Sequence, residues 1–177
     1  MHIIKQGCKI KRYTNFVFLF LSIFLISILQ AEELQKKSKV ISKIDKTKEV
    51  KEILLREKII TIALSYLGTE YWPGGQDTDY GMDCSGFTQL VYKKVGINIP
   101  RTSYEQYLKA GKISRGFLKK GDLVFFSTRW MGINHVGIYL GDNKFIHAPS
   151  IGKCIKIDLL NSRYWGPRFI SGGRYIF

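Results

Sequence analysis

The sequence predicts an α+β domain, and three features predict it. Apolar residues recur at helical spacing in the first half of the chain, around 48–67 and 84–95. From Leu123 onward the runs are short and rich in Val, Ile, Phe and Tyr, as strands are. Gly141-Asp142-Asn143 between two such runs is a hairpin signal, so neighbouring strands run antiparallel. Helices first and strands second imply N-terminal helices packed on a five- to six-stranded antiparallel sheet. With 177 residues, 45% of them hydrophobic and 24% charged, the chain is long enough for one such domain with a full core.

Residues 1–31 read as an export signal. Lys5, Lys9, Lys11 and Arg12 precede Phe16–Leu29, which is apolar apart from two serines, and Ala31 is a small residue before a cleavage point. The alternative is an uncleaved anchor, the only route by which a membrane enters the expectation. The apolar run is shorter than the roughly 20 residues of a usual span, which favours cleavage. Either way the basic flank stays inside and the rest of the chain lies outside the cytoplasm, in the periplasm, the cell envelope or beyond. Cys8 precedes the apolar run and is not placed to become a lipid-modified N-terminus. Residues 32–48 are Lys-rich, without Pro, Gly or aromatic residues, and read as a basic, part-helical linker. The domain proper is expected over 49–177, with no separate wall-binding domain beside it.

Each element then has its own signal. From Lys48 to Leu67, Ile53, Ile60, Ala63, Leu64 and Leu67 fall near one helical face, and Gly68 is the stop. Thr69–Met82 is a loop, by its Gly74-Gly75 pair, Pro73 and the Asp77-Thr78-Asp79 run. A helix from Cys84 to Val95 follows, with Phe87, Leu90, Val91 and Val95 on its apolar face and Gly96 after it. A short helix after Pro100 is introduced by a capping box, either Thr102 with Glu105 or Ser103 with Gln106, and Gly111 ends it. Strands are expected at 123–126, 135–140, 144–148 and 155–159, with one or two more between Arg168 and Phe177.

Asp83-Cys84-Ser85-Gly86-Phe87 is the chemically pointed stretch. Cys84 falls in the first turn of a helix, where N–H groups are unpaired and the dipole is positive, and Asp83 is the natural N-cap. Such a position favours the thiolate, the nucleophilic form of cysteine. A thiol nucleophile also needs a base within reach and a third group to orient that base. His135 and His147 lie on the two strands of the expected hairpin. A three-residue loop, 141–143, sets His147 opposite Gly137 and puts both histidines on one face, diagonal to each other. A two-residue loop would put them on opposite faces. Arg101, near a cleft, can hold a carboxylate. Thr128–Asn134 is a loop in which Trp130 and Met131 either line the cleft or pack.

The net charge of +14 suits a polyanionic partner, and an anionic envelope polymer is one such candidate. Nucleic acid has only charge in its favour, and the export signal opposes it. Three cysteines and three histidines without metal-ligand spacing imply no metal site, and no cofactor is expected. Cys154 is structural or incidental. Outside the cytoplasm Cys84 must stay reduced, so Cys84 and Cys154 are expected not to be placed to join.

In this order, Leu67-Gly68, Tyr71, Gly74-Gly75, Asp83-Cys84-Ser85-Gly86, Pro100-Arg101-Thr102-Ser103 with Gln106, Gly121-Asp122-Leu123, His135–Gly141 and Phe145–Ala148 resemble the NlpC family of bacterial cell-wall cysteine peptidases. That family is a compact relative of the papain fold, and the resemblance runs from about Ile60 to Arg174. It implies hydrolysis of peptidoglycan stem peptides, usually at the bond from the D-glutamate side chain to a diamino acid. It also implies Cys84 as nucleophile, His135 as base, His147 as the orienting third member and Tyr71 as a hydroxyl that helps stabilise the oxyanion. Asp83 and Ser85 would flank the substrate. A sugar–peptide amidase of related fold and a catalytically idle wall-binding domain are the competing readings.

Overall fold

The computed structural model describes residues 10–176, apart from 78, 80 and 129–131. Cys8, the start of the expected export signal, and Trp130 and Met131 lie outside the described residues. The chain divides into two units, Met1–Glu49 and Val50–Phe177. A helix, α1 (Ile10–Leu64), begins in the first unit and ends in the second, so the stretch expected as a linker is helical throughout. Residues 32–48 contain no helix breaker, and Glu33 pairs with Lys37 one turn on at 3.0 Å, which is enough local support. Among the described residues no helix is long and apolar enough to cross a membrane.

The second unit is α+β. Short strands β1 (Gln76–Asp77) and β2 (Gly81–Met82) make a small ribbon inside the segment expected as loop. Helices α2 (Cys84–Lys94) and α3 (Ser103–Lys109) follow. Then come β3 (Gly111–Ile113), β4 (Leu123–Phe126), β5 (His135–Gly141), β6 (Lys144–His147), β7 (Lys156–Leu159) and β8 (Phe169–Arg174). The last six form one antiparallel sheet in the order β3-β8-β4-β5-β6-β7. The short strand β3, which begins at Gly111, carries too few residues to signal itself in the sequence.

The unbroken apolar run of β4 has a reason, since both faces of the sheet are covered. Leu123 and Phe125 join the main core with Ile59, Ala63, Phe87, Val91, Val136 and Ile146. Val124 and Phe126 point the other way, into a second cluster with Phe145, Leu160 and Trp165. The capping box of α3 is the Thr102–Glu105 alternative. Inside that helix Gln106 is fully buried; its amide donates to the carbonyls of Ser85 and Pro100 at 3.0 and 2.8 Å and accepts from Thr88 at 2.9 Å. This ties α3 to the start of α2.

The buried face of α1 differs from the expected one. Ile53, Leu64 and Leu67 are exposed, while Arg56, Ile59, Ile60 and Ala63 are buried, with Tyr66 just beyond. The face turns toward Arg56 because that guanidinium has a buried partner. Asp122, with no exposed surface, accepts from Arg56 at 2.9 Å, from Arg174 at 3.0 and 2.6 Å, and from the backbone of Lys119 at 2.9 Å. Arg56 also donates to the carbonyl of Lys120 at 2.7 Å. One carboxylate thus joins α1, the turn before β4 and the end of β8. Removing it leaves Arg174 without its anion and the buried Arg56 with Glu52 alone, at 2.8 Å, so Asp122→Ala should lower unfolding stability by about 3–5 kcal/mol in denaturant titration. A loss under about 1 kcal/mol would show that Arg56 and Arg174 re-solvate freely.

Candidate active site

The start of α2 is organised by the carboxylate of Asp83. Oδ1 caps the helix, accepting from the N–H of Gly86 at 2.7 Å and from the hydroxyl of Ser85 at 3.1 Å. Arg101 binds both oxygens, at 2.9 and 2.7 Å, and also donates to the hydroxyl of Ser85 at 3.0 Å. Oδ2 takes the N–H of Gly74 at 3.1 Å. The carboxylate expected for Arg101 is therefore the chain's own, and Asp83, Ser85 and Arg101 are engaged with one another. All three still line, with Tyr71, Cys84 and Asn134, an open cavity of about 530 Å³. Gly86 is where the turn crosses the helix start: a Cβ there would lie 2.1 Å from the carbonyl oxygen of Gly75.

Cys84 sits at this N-terminus, but its surroundings disfavour the thiolate. Burial, then the charge of Asp83, pushes its pKa up to about 11, against the pull of nearby N–H groups of Val136, Ser85 and Cys84 itself. The dipole argument alone predicts a thiolate; desolvation and a neighbouring anion outweigh it. Asp83 goes the other way: burial raises its pKa, but Arg101 and the Gly86 N–H hold it below the usual range. Cys84 and Cys154 are both free, the first buried and the second exposed.

The two histidines meet on one face of the sheet, by a route other than the expected loop. Asp142 and Asn143 both have positive φ, 50° and 57°, as in a two-residue hairpin turn. Such a turn alone would separate the histidines. A bulge at Leu140, between the pairs Tyr139–Phe145 and Gly141–Lys144, restores the parity. Ile138 then faces Ile146, and Nε2 of His135 lies 2.8 Å from Nδ1 of His147. Gly137 allows this approach, since a Cβ there would meet Phe145 at 2.7 Å and the carbonyl of Ile146 at 2.8 Å.

The line continues to a residue that the sequence did not single out. Nε2 of His147 lies 3.0 Å from Asp158, whose carboxylate also accepts from the indole N–H of Trp165 at 2.8 Å and from Lys156 at 2.9 Å. The bond from His147, with those from Lys156 and Trp165, holds the pKa of Asp158 well below the usual carboxylate range. Both histidines are neutral: burial depresses each, His147 depresses His135 further, and Asp158 opposes without prevailing. The proton positions follow. An ionised Asp158 requires the hydrogen of His147 on Nε2, so its Nδ1 is an acceptor. His135 must then donate from Nε2, which leaves its Nδ1 a free lone pair. The ring of His135 stacks on Trp165, with centroids 5.0 Å apart and planes at 21°.

A buried thiol at a helix start and an imidazole with one nitrogen oriented by a histidine and a carboxylate are the kinds of group that thiol acyl transfer requires. The sequence profile of the NlpC/P60 family matches residues 68–174. The chain belongs to the NlpC/P60 family. It is 42% identical over 115 residues to murein DD-endopeptidase MepH of Escherichia coli, covering 63% of this chain and 42% of that one. It is 40% identical over 120 residues to the bifunctional muramidase/DL-endopeptidase CwlT of Bacillus subtilis, covering 67% and 36%. The solved NlpC/p60 domain of the peptidoglycan hydrolase SagA superposes with a TM-score of 0.60 at 35% identity, over 67% of this chain and 97% of that domain. The chain thus spans less than two thirds of the length of these two curated relatives.

Within this NlpC/P60 domain, Tyr71 and Cys84 share a cavity, and the His135–His147 pair stands on the neighbouring strands. Asp158 and Trp165 were missed. The only available signal was the alternation of β7, which sets Asp158 two residues beyond Lys156, the partner of His147. The electrostatics of Cys84 are testable without substrate. Asp83→Asn keeps a capping side chain and removes the anion, so the pH midpoint for alkylation of Cys84 by iodoacetamide, followed by peptide mass, should move down. An unchanged midpoint would assign the raised thiol pKa to burial alone.

Proposed function

We propose that this domain is a cysteine peptidase that hydrolyses peptidoglycan stem peptides outside the cytoplasm, with Cys84 as nucleophile and His135 as base. The observation that carries this reading is the hydrogen-bonded line His135–His147–Asp158, which leaves Nδ1 of His135 as a lone pair, on the residue next to Val136, whose N–H lies by the Cys84 thiol. Relatives named as murein endopeptidases and a peptidoglycan hydrolase support the substrate class.

In the proposed reaction the thiol of Cys84 gives its proton to Nδ1 of His135 as Sγ attacks the carbonyl. Surroundings that favour a neutral thiol and a neutral imidazole suit general-base catalysis. The new imidazolium is stabilised through His147 by the charge of Asp158, with Trp165 holding that carboxylate in place. The backbone N–H of Cys84 and the hydroxyl of Tyr71 are the proposed oxyanion donors. His135 then protonates the leaving amine, and water hydrolyses the thioester. The proposed bond joins the D-glutamate side chain to a diamino acid; relatives carry both DD and DL in their names, so the products must be identified. The protein is expected to reach its substrate by export, through residues 1–31.

Digestion of purified peptidoglycan, with mass identification of products, tests the reading. The protein should release cut stem peptides and Cys84→Ala should release none; release of intact stems would instead indicate an amidase. The pH profile tests the base. Because burial depresses His135 below its ordinary value of 6.5, it stays neutral at neutral pH and protonates only in acid. The acid limb of kcat/KM should therefore fall below pH 6.5, with activity rising as pH increases through it. Asp158 favours the charged form of His135, so Asp158→Asn should move that limb to lower pH and reduce kcat by about 10- to 100-fold. A merely structural role would leave the limb where it is.

A further inference from the structure

A second cavity, of about 780 Å³, has His135 and Trp165 in its wall. It lies close to the cavity at Cys84. The N–H of Tyr71, which lines the first, donates at 2.9 Å to the carbonyl of Lys153, which lines the second. The chemistry of acyl transfer tells the two apart. When the tetrahedral intermediate collapses, the carbon–nitrogen bond breaks and the amine nitrogen takes the proton held by His135, leaving the acyl group on Sγ of Cys84. Water later cleaves that thioester and restores the thiol. On the peptidase reading the leaving amine is placed against His135, and the second cavity is the one His135 lines. The acyl fragment occupies the side of Cys84, Tyr71 and Asp83.

The charge of the second cavity is one-sided. Lys144, Lys153 and Lys156 line it and are exposed. Its one carboxylate, Asp158, is already taken by His147, Trp165 and Lys156. Lys144 and Lys153 form no ion pair among the described residues. The fields of Lys153 and Lys156 both reach His147, so the positive charge faces the reacting groups as well as solvent.

We propose that this cavity receives the amine-side fragment of the substrate, and that Lys144 and Lys153 select fragments carrying a free carboxylate. The inference rests on the peptidase reading above and deepens it. A diamino acid bonded through one amine keeps its own carboxylates on the leaving side, where these lysines stand.

The test uses two synthetic peptides, L-alanyl-γ-D-glutamyl-diaminopimelate with its diaminopimelate carboxyls free, and the same peptide with them as carboxamides. The protein should favour the free acid in kcat/KM by about tenfold at low salt, the scale of two partly exposed ion pairs. That ratio should approach one in Lys144→Gln/Lys153→Gln, and also in wild type at about 0.5 M salt, where the screening length is a few ångströms. Because the readout is a ratio, a general loss of activity in the variant does not imitate it. Equal cleavage of the two peptides by wild type overturns the inference and leaves the peptidase reading standing. A preference that survives the double substitution overturns the assignment to these lysines. Cleavage of neither peptide overturns the proposed bond, and this inference with it.

Discussion

The site depends on a one-residue bulge. Asp142 and Asn143 make the tight turn that the twist of two antiparallel strands favours, yet that turn by itself gives β6 the wrong parity. The extra residue at Leu140 corrects it, and the correction decides everything downstream. With it, His147 lies on the face of His135, and β7, paired to β6 through His147 and Lys156, brings Asp158 to the same face. Without it, the histidines would face opposite sides of the sheet and Asp158 would lose its partner. The bulge therefore belongs to the chemistry as much as to the hairpin.

A second constraint works at the start of α2. Asp83 holds the helix N-terminus, the Gly74 turn, Ser85 and Arg101 together through one carboxylate. This fixes where Cys84 points, but it places an anion beside a thiol and so opposes ionisation. The two effects are separable in kind. Position comes from hydrogen bonds to the carboxylate, and acidity comes from burial and charge. On the proposed reading, a thiol held this way needs a neutral base more than a positive dipole, and the burial of His135 favours the neutral imidazole.

Much of this was legible in the chain. The order of helices and strands, the N-cap at Asp83, the capping box at Thr102 and the run at Leu123–Phe126 are local signals, and local signals are what a sequence carries. The failures share one cause. The face of α1 turns on Arg56, which counts as polar until Asp122, 66 residues away, is known to be its partner. Asp158 looks like an ordinary outward residue of an alternating strand until the register with β6 is known. The acidity of Cys84 was misjudged because the helix dipole can be read from spacing, whereas desolvation requires the packed core.

The same distinction explains how the site treats its charged residues. Where a carboxylate is fixed by several donors, as at Asp83, Asp122 and Asp158, it acts as a joint between elements and its charge is balanced within the fold. Lys144 and Lys153, on the wall shared with His135, have no such internal balance. A fold that ties up these three carboxylates so fully, yet leaves Lys144 and Lys153 without an ion pair around the cavity that His135 lines, suits, on the proposal above, a fragment that arrives with negative charge. On this argument the reacting groups set what chemistry is possible, and the unbalanced charge next to them sets which fragment is drawn to it.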